Sequence, residues 1–247
     1  MILKLGHALT SERSPVWLNL SAPPYLTQGL TGTLISSKGG GKSTVLTVLA
    51  EEAHANHLPF LFIDPNGEAA ALRVLGDDII VIGRAADEPM RACHFPLKQI
   101  LADPVYYIRD LMLKEGYSLV VDLSGLVPEE KAQVVAELLS AWYRLSEYQA
   151  NRVPVLLLID EAHLFAPQSR ANEFQKESLR AMSLIASDGR KRGIAAIYAA
   201  QRMAFINKDV AGLSNVWLIG QTGFDGDYKR LKPYLPNSVT FEQLNAL

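Results

Sequence analysis

Residues 36–44 read Ser36-Ser37-Lys38-Gly39-Gly40-Gly41-Lys42-Ser43-Thr44 and lie between a short apolar run and a helical pattern over 45–55. A loop that holds a triphosphate needs backbone N–H groups turned inward, a lysine that reaches the β- and γ-phosphates, and a hydroxyl at a helix N-terminus to meet Mg²⁺. Glycines permit the first, and Lys42 and Ser43 supply the others. Lys38, Gly39, Gly40, Gly41, Lys42, Ser43 and Thr44 are therefore the candidate nucleotide-binding residues, with ATP and Mg²⁺ as the ligands. The pattern G-x4-G-K-[ST] has glycine where this chain has Ser36, so a glycine-rich turn capped by Ser43 stands as the alternative for this stretch taken alone.

Two further stretches add groups of matching chemistry. Val155-Leu156-Leu157-Leu158-Ile159 leads into Asp160-Glu161-Ala162-His163, a buried strand that ends in adjacent carboxylates. At the carboxyl edge of an α/β sheet, Asp160 can hold the Mg²⁺ shell and Glu161 can orient and deprotonate an attacking water. His163 either relays the state of the nucleotide or caps the strand. The run Gly189-Arg190-Lys191-Arg192-Gly193 enters an apolar strand that ends at Gln201. Gln201 suits a polar sensor beside the γ-phosphate. Arg190 and Arg192 stand at the opposite end of that strand, about seven residues away at ~3.3 Å each, too far for the chain's own nucleotide but placed to reach a neighbour's. An arginine supplied in trans accelerates such hydrolysis by ~10³–10⁵-fold, which points to a ring of subunits.

The elements that must carry these residues alternate in type. Short β-rich segments at 32–37, 59–64, 78–83, 117–123, 153–160, 194–201 and 215–222 are separated by helical patterns. Several are continuous apolar runs, as in strands buried on both faces of a mostly parallel sheet. The expected class is α/β. Over 128–148, Val134, Val135, Leu138, Leu139, Trp142 and Leu145 recur at helical spacing, with Glu129 and Glu130 in the first turn where the helix dipole favours anions. Residues 1–30 read as an extended lead-in, and the stretch from Gly223, with Pro233 and Pro236, forms no long helix.

Composition bounds the rest. With 247 residues, 49% hydrophobic and 20% charged, the chain is a globular domain with a sizeable core, not a disordered or disulfide-stapled one. Its net charge of −2 excludes a histone-like coat on nucleic acid. The single Cys93 forms no intrachain disulfide and fits a reducing compartment. The expected protein is cytoplasmic and not membrane-inserted, since no apolar run reaches ~18 residues and residues 1–20 lack the core of a signal peptide. His54 and His57 lack a third metal ligand and read as a solvated face, Cys93-His94 as packing, and Trp17 and Tyr25 as packing on the core or a neighbouring subunit.

Taken in order, these motifs resemble the HerA/FtsK superfamily of P-loop ATPases, and its HerA branch more closely. The resemblance runs over about 30–232 and includes Phe62-Ile63-Asp64-Pro65-Asn66-Gly67-Glu68, Asp160-Glu161-Ala162-His163, Gly189-Arg190-Lys191, Ala200-Gln201-Arg202 and Asp227-Tyr228-Lys229-Arg230-Leu231. It implies a RecA-like core at 31–232 between the lead-in and a tail at 233–247, usually in a hexameric ring that moves double-stranded DNA through its pore. By position, it implies phosphate and Mg²⁺ binding by Lys42 and Ser43, Mg²⁺ binding by Asp160, Glu161 as base, Gln201 as sensor, and Arg190 or Arg192 as the trans-acting finger. Arg170 and Lys176, after Pro167, are the candidate DNA contacts. The absence of the family's N-terminal barrel suggests a viral or mobile-element packaging motor with a capsid partner. A HerA-like helicase-translocase working with a nuclease, and an ATP-gated assembly switch that moves no DNA, are the alternatives. Marks of rival P-loop families fall short: Leu123-Ser124-Gly125-Leu126 is not an ABC signature, and Asn207-Lys208-Asp209-Val210 lacks the last aspartate of a GTPase motif.

Overall fold

A computed structural model describes residues 2–7, 15–19, 29–83, 93–169 and 171–246, the first two segments as backbone only. Ile2–His7 (β1) and Pro15–Asn19 (β2) pair antiparallel, a hairpin within what the sequence suggests is an extended lead-in. The side chain of Trp17, and Tyr25 and Arg170 altogether, lie outside the described residues.

The seven strands expected from the sequence all form: Thr31–Ile35 (β3), Phe60–Asp64 (β4), Ile79–Gly83 (β5), Ser118–Asp122 (β7), Val155–Ile159 (β8), Ile194–Ala200 (β9) and Val216–Ile219 (β10). A two-residue strand, Phe95–Pro96 (β6), is the addition. Together they make one parallel sheet of eight strands in the order β10-β3-β9-β8-β4-β7-β5-β6. β3, β4, β7 and β8 are buried at every position, because both sheet faces are covered. Alternate residues of β8 feed opposite core layers. Leu156 and Leu158 join Phe60, Phe62 and helix α1 (Lys42–Ala55) through Leu46 and Leu49. Val155, Leu157 and Ile159 join α3 (Pro128–Leu145) and α4 (Glu173–Asp188) through Leu138, Trp142, Met182 and Ile185. Each such side chain contributes about 1.5–3 kcal/mol on burial, which commits the strand to a central place.

The helix expected over 128–148 is α3, with Val134, Val135, Leu138, Leu139 and Trp142 buried as its spacing predicts. Glu130 Oε2 accepts the Val127 N–H at 3.1 Å and closes its first turn. α4 begins at a reciprocal cap in which Asn172 Oδ1 accepts the Gln175 N–H at 2.8 Å and Gln175 Oε1 accepts the Asn172 N–H at 3.0 Å. Among the described residues the remaining α-helices are short, Leu97–Ala102 (α2), Lys208–Gly212 (α5), Asp225–Leu231 (α6) and Phe241–Asn245 (α7), and Tyr106–Lys114 forms a nine-residue π-helix. Beyond Gly223 no long helix forms, and Tyr234 stacks on Trp217 of β10 at 4.0 Å between ring centroids. Among the described residues no helix is long and apolar enough to cross a membrane.

Register sets the functional edge. Ile35 pairs with Ala200, Tyr198 with Ile159, and Ile159 with Ile63, so β3, β9, β8 and β4 are neighbours with their carboxyl ends together. The loop from Ser36, Gln201, Asp160 and Asp64 therefore all leave the sheet at one edge.

Candidate active site

The loop after β3 wraps an open concavity. Gly39 and Gly41 both stand at φ 81°, a left-handed conformation that a side chain would strain. Ser36, the departure from the usual glycine, is buried and donates its hydroxyl to the Gly40 carbonyl at 2.7 Å, closing the loop from inside. Gly41 is the N-cap of α1, among the described residues no side chain caps that end, and no acidic residue stands in the first turn. Free N–H groups and the positive helix end thus face the cleft, the arrangement an anion requires. The cleft has a volume of about 390 Å³ and is lined by the loop residues Lys38, Gly39, Gly41, Lys42, Ser43 and Thr44, with Glu161 and Gln201 opposite.

Lys42 is almost fully buried between two carboxylates. Its Nζ contacts Asp160 Oδ1 and lies 3.1 Å from Glu161 Oε1. Asp160 Oδ1 also accepts the Glu161 N–H at 2.8 Å. Glu161 itself adopts φ 45°, ψ 44°, a left-handed backbone for a residue with a side chain. Such a conformation costs about 1–3 kcal/mol and collects at functional sites, and here it turns the carboxylate into the cleft at the end of β8. Gln201 Nε2 donates to Glu161 Oε1 at 2.7 Å, and His163 Nδ1 lies 3.2 Å from Glu161 Oε2, off the angle of a formed hydrogen bond. Burial alone would raise the Glu161 carboxyl, but His163, Gln201 and Lys42 outweigh it and hold it down to about 2. Glu161 is thus an anion across the ordinary pH range while Lys42 stays beside it.

No family model matches the chain. Over 74 residues it is 36% identical to the DNA double-strand break repair helicase HerA of Pyrococcus furiosus, a stretch that is 30% of this chain and 13% of that protein. Its fold is similar to that of the genome packaging NTPase B204 from Sulfolobus turreted icosahedral virus 2 in complex with ATP-gammaS, with a TM-score of 0.52 and 17% identity over 88% of this chain and 86% of that one. The pCW3 conjugation coupling protein TcpA has a TM-score of 0.51 at 12% identity, over 92% of this chain and 56% of its own. The chain has the P-loop NTPase fold.

Three residues that line the cleft of this P-loop core carry no role in the sequence reading: Ser37 at the start of the loop, and two from another element. Asn66 and Glu68 line the cleft beside Glu161, carried by the loop after β4. The signal was present in Asp64-Pro65-Asn66-Gly67-Glu68, a strand end followed by two residues that break regular structure. Asp64 builds the loop, with Oδ1 accepting the Asn66 N–H at 2.9 Å and Oδ2 the Ala69 N–H at 2.6 Å. Its carboxyl is raised, chiefly by burial and also by neighbouring Asp122, against the lowering effect of those N–H donors. Lys131 of α3 ties the Pro65 carbonyl at 2.7 Å. Gly67 sits at φ 77°, where a Cβ would meet Ser124 Oγ at 2.9 Å and Asp122 Oδ1 at 3.0 Å. Gly67→Ala is expected to lower stability by about 1–2 kcal/mol from the left-handed backbone alone, read as a shift of the denaturation midpoint. Gly226→Ala, in α6 with open space around it, gives no such loss.

The other sequence candidates fall apart from the cleft. Arg190 and Arg192 lie in a single turn at the far end of β9 from Gln201. Arg192 is engaged within its own chain: its guanidinium lies 3.8 Å over the Tyr143 ring and donates to Tyr143 Oη at 3.0 Å and Ser146 Oγ at 3.3 Å. Those contacts hold Arg192 against α3 of its own chain, whereas Arg190 is exposed, with no ion pair or side-chain hydrogen bond among the described residues. Lys176 is exposed on the first turn of α4 and pairs with Glu173 at 2.6 Å, the solvated arrangement its spacing allows. His54 lies 3.5 Å from Asp78, and His94 Nδ1 accepts the Val81 N–H at 2.9 Å.

Proposed function

We propose that the chain is an ATP-hydrolysing motor that works as a homo-oligomeric ring, a hexamer, and translocates double-stranded DNA, with genome packaging as its output. The observation that carries the reading is Lys42 held between Asp160 and Glu161, with Gln201 on the same Glu161 oxygen. A γ-phosphate entering the loop competes for Lys42 and draws it from the carboxylates. Glu161 then loses one of the groups that depress its carboxyl, so it becomes more basic when the phosphate arrives. Freed on that side, it orients a water for in-line attack and takes its proton, while Gln201 holds the carboxylate and senses the γ-phosphate.

Among the described residues no three His, Cys, Asp or Glu side chains converge to hold a metal by themselves. That suits Mg²⁺, which takes one or two protein ligands and completes its shell with phosphates and water. Ser43 and Asp160 would hold it, and it would neutralise charge between the β- and γ-phosphates.

The likeness to B204 over 86% of that chain supports packaging. The identity with HerA supports a second reading, a helicase-translocase working with a nuclease. A cytoplasmic site of action, in the host or in association with a virion, accompanies the first. Arg170 and Lys176 remain the proposed DNA contacts, since in a ring even one or two cations per subunit converge on the pore.

The deciding experiment is ATP turnover with and without duplex DNA on a sample whose oligomeric state is determined at the same time. DNA-stimulated hydrolysis by a multimer is expected. Nucleotide-dependent assembly that ignores DNA would replace the motor with an assembly switch. Mixing Arg190→Ala subunits into wild type should depress hydrolysis more than in proportion to their share, because each silences a neighbour's site, and strictly proportional loss would remove Arg190 as the trans-acting group.

A further inference from the structure

Both oxygens of Glu161 lead out of the cleft to one patch of surface. Oε1 accepts from Gln201, and the next residue, Arg202, pairs through Nε with Asp227 Oδ2 at 2.9 Å. Asp227 is buried and also accepts the Ala204 N–H at 3.1 Å, so the turn after β9 is anchored to α6. The Arg202 guanidinium lies 4.1 Å from the Phe224 ring and 4.9 Å from the Phe205 ring. On the other side Oε2 faces His163, whose ring stands 5.8 Å from that of Phe205. Phe205 and Phe224 are 44% and 52% exposed.

The two arms are tied to each other as well as to the cleft. The Phe205 carbonyl accepts the Gln168 N–H at 3.0 Å, the Asn207 N–H donates to Ala166 at 2.8 Å, and Pro167 bridges Ile206. The segment that follows His163 and the segment that follows Gln201 therefore form one braced unit, with Glu161 at its inner end and Phe205 at its outer end. Nδ1 of His163 and Oε2 of Glu161 are buried and lack a formed hydrogen bond, so their relative placement depends on what holds the His163 ring.

We propose that His163 is a positioning residue for Glu161, held in register by Phe205 and Arg202, so that the exposed aromatic patch sets the rate of hydrolysis without touching the nucleotide. The inference rests on the reading that Glu161 acts in ATP hydrolysis. Removing the brace lets the carboxylate drift, and a displacement of ~1 Å from the reacting geometry lowers turnover by up to ~10²-fold. Binding of the triphosphate is carried by the loop and does not require the brace.

The test is a double-mutant cycle on turnover. His163→Ala and Phe205→Ala should each lower kcat about tenfold with the KM for ATP within about twofold, and the double variant should lose little more than either alone, as residues acting through one contact do. His163→Asn and Phe205→Leu, which keep a donor and an apolar contact, should recover most of the rate and serve where the alanine variants fold poorly. Tyr148→Ala removes an exposed aromatic elsewhere and leaves turnover unchanged. Independent, additive losses, a rise in KM at constant kcat, or wild-type turnover in His163→Ala would overturn the proposal. If the wild type itself fails to hydrolyse ATP, or Glu161→Gln turns over normally, the underlying reading of the site falls instead.

Discussion

Glu161→Gln is expected to bind ATP at least as tightly as the wild type and to lose turnover by about 10²–10⁴-fold, the usual contribution of a positioned general base. The amide keeps the size and the bond from Gln201 but cannot take a proton from water. It also removes one of the two negative charges around Lys42, which frees that lysine for phosphate and favours binding. Equilibrium binding of a labelled nucleotide and steady-state phosphate release separate the two effects. Normal hydrolysis by the variant would rule out Glu161 as the base. The pH dependence gives a second reading of the same group. In the free protein the carboxyl is depressed to about 2, so it stays ionised until the medium falls through that value. With nucleotide bound and Lys42 drawn to phosphate, one depressing partner is gone and the carboxyl rises. Since kcat/KM reports the free protein and kcat the bound complex, the acid limb of kcat should lie at higher pH than that of kcat/KM.

Lys42→Ala should abolish useful ATP binding. A charge-assisted hydrogen bond of this kind is worth about 1.5–3 kcal/mol, or roughly 10–100-fold in affinity, and here the loss is compounded. Asp160 and Glu161 would face the incoming phosphates with no cation between them. The same substitution leaves two buried carboxylates without their partner, a change that costs up to about 3–5 kcal/mol when no water compensates. A lower melting temperature alongside lost binding is therefore expected. Lys42→Arg, which keeps the charge, tells the causes apart: it should restore the melting temperature more fully than affinity, because the bulkier guanidinium fits the carboxylates better than the tight glycine loop. Unchanged nucleotide affinity in Lys42→Ala would remove the loop as the phosphate site.

From β3 onward, apart from the two-residue β6, the succession of strands along the chain was legible in advance because it depends on local patterns. Apolar runs such as Leu156–Ile159 can be satisfied only between two covered faces, and the periodicity of Val134, Leu138 and Trp142 fits only a helix with one buried side. The loop of Gly39, Gly40, Gly41 and Lys42 was legible for a similar reason, since left-handed turns and an uncapped helix start are written in residue type. The pair Asp160-Glu161 announced a site at a strand end.

What the residues could not announce depends on neighbours far away in the chain. Gln201 bonds to Glu161 across 40 residues because β8 and β9 are adjacent in the sheet, and strand order is not encoded in the spacing. The contact of the Arg192 guanidinium with Tyr143 of α3, 49 residues away, is likewise absent from the local run of residues 189–193. The left-handed backbone of Glu161 is strain that a local preference would argue against, and it persists because Lys42 and Gln201 hold the carboxylate where it is. Glu68 stood in a recognisable motif, yet its place in the cleft follows from β4 lying next to β8. The chemistry available to this protein is a matter of residue types and short spacings, which operate within a few bonds. Which carboxylate meets which lysine, amide and imidazole is a matter of long-range packing, where the hydrophobic burial of two core layers selects one strand order and brings the groups together.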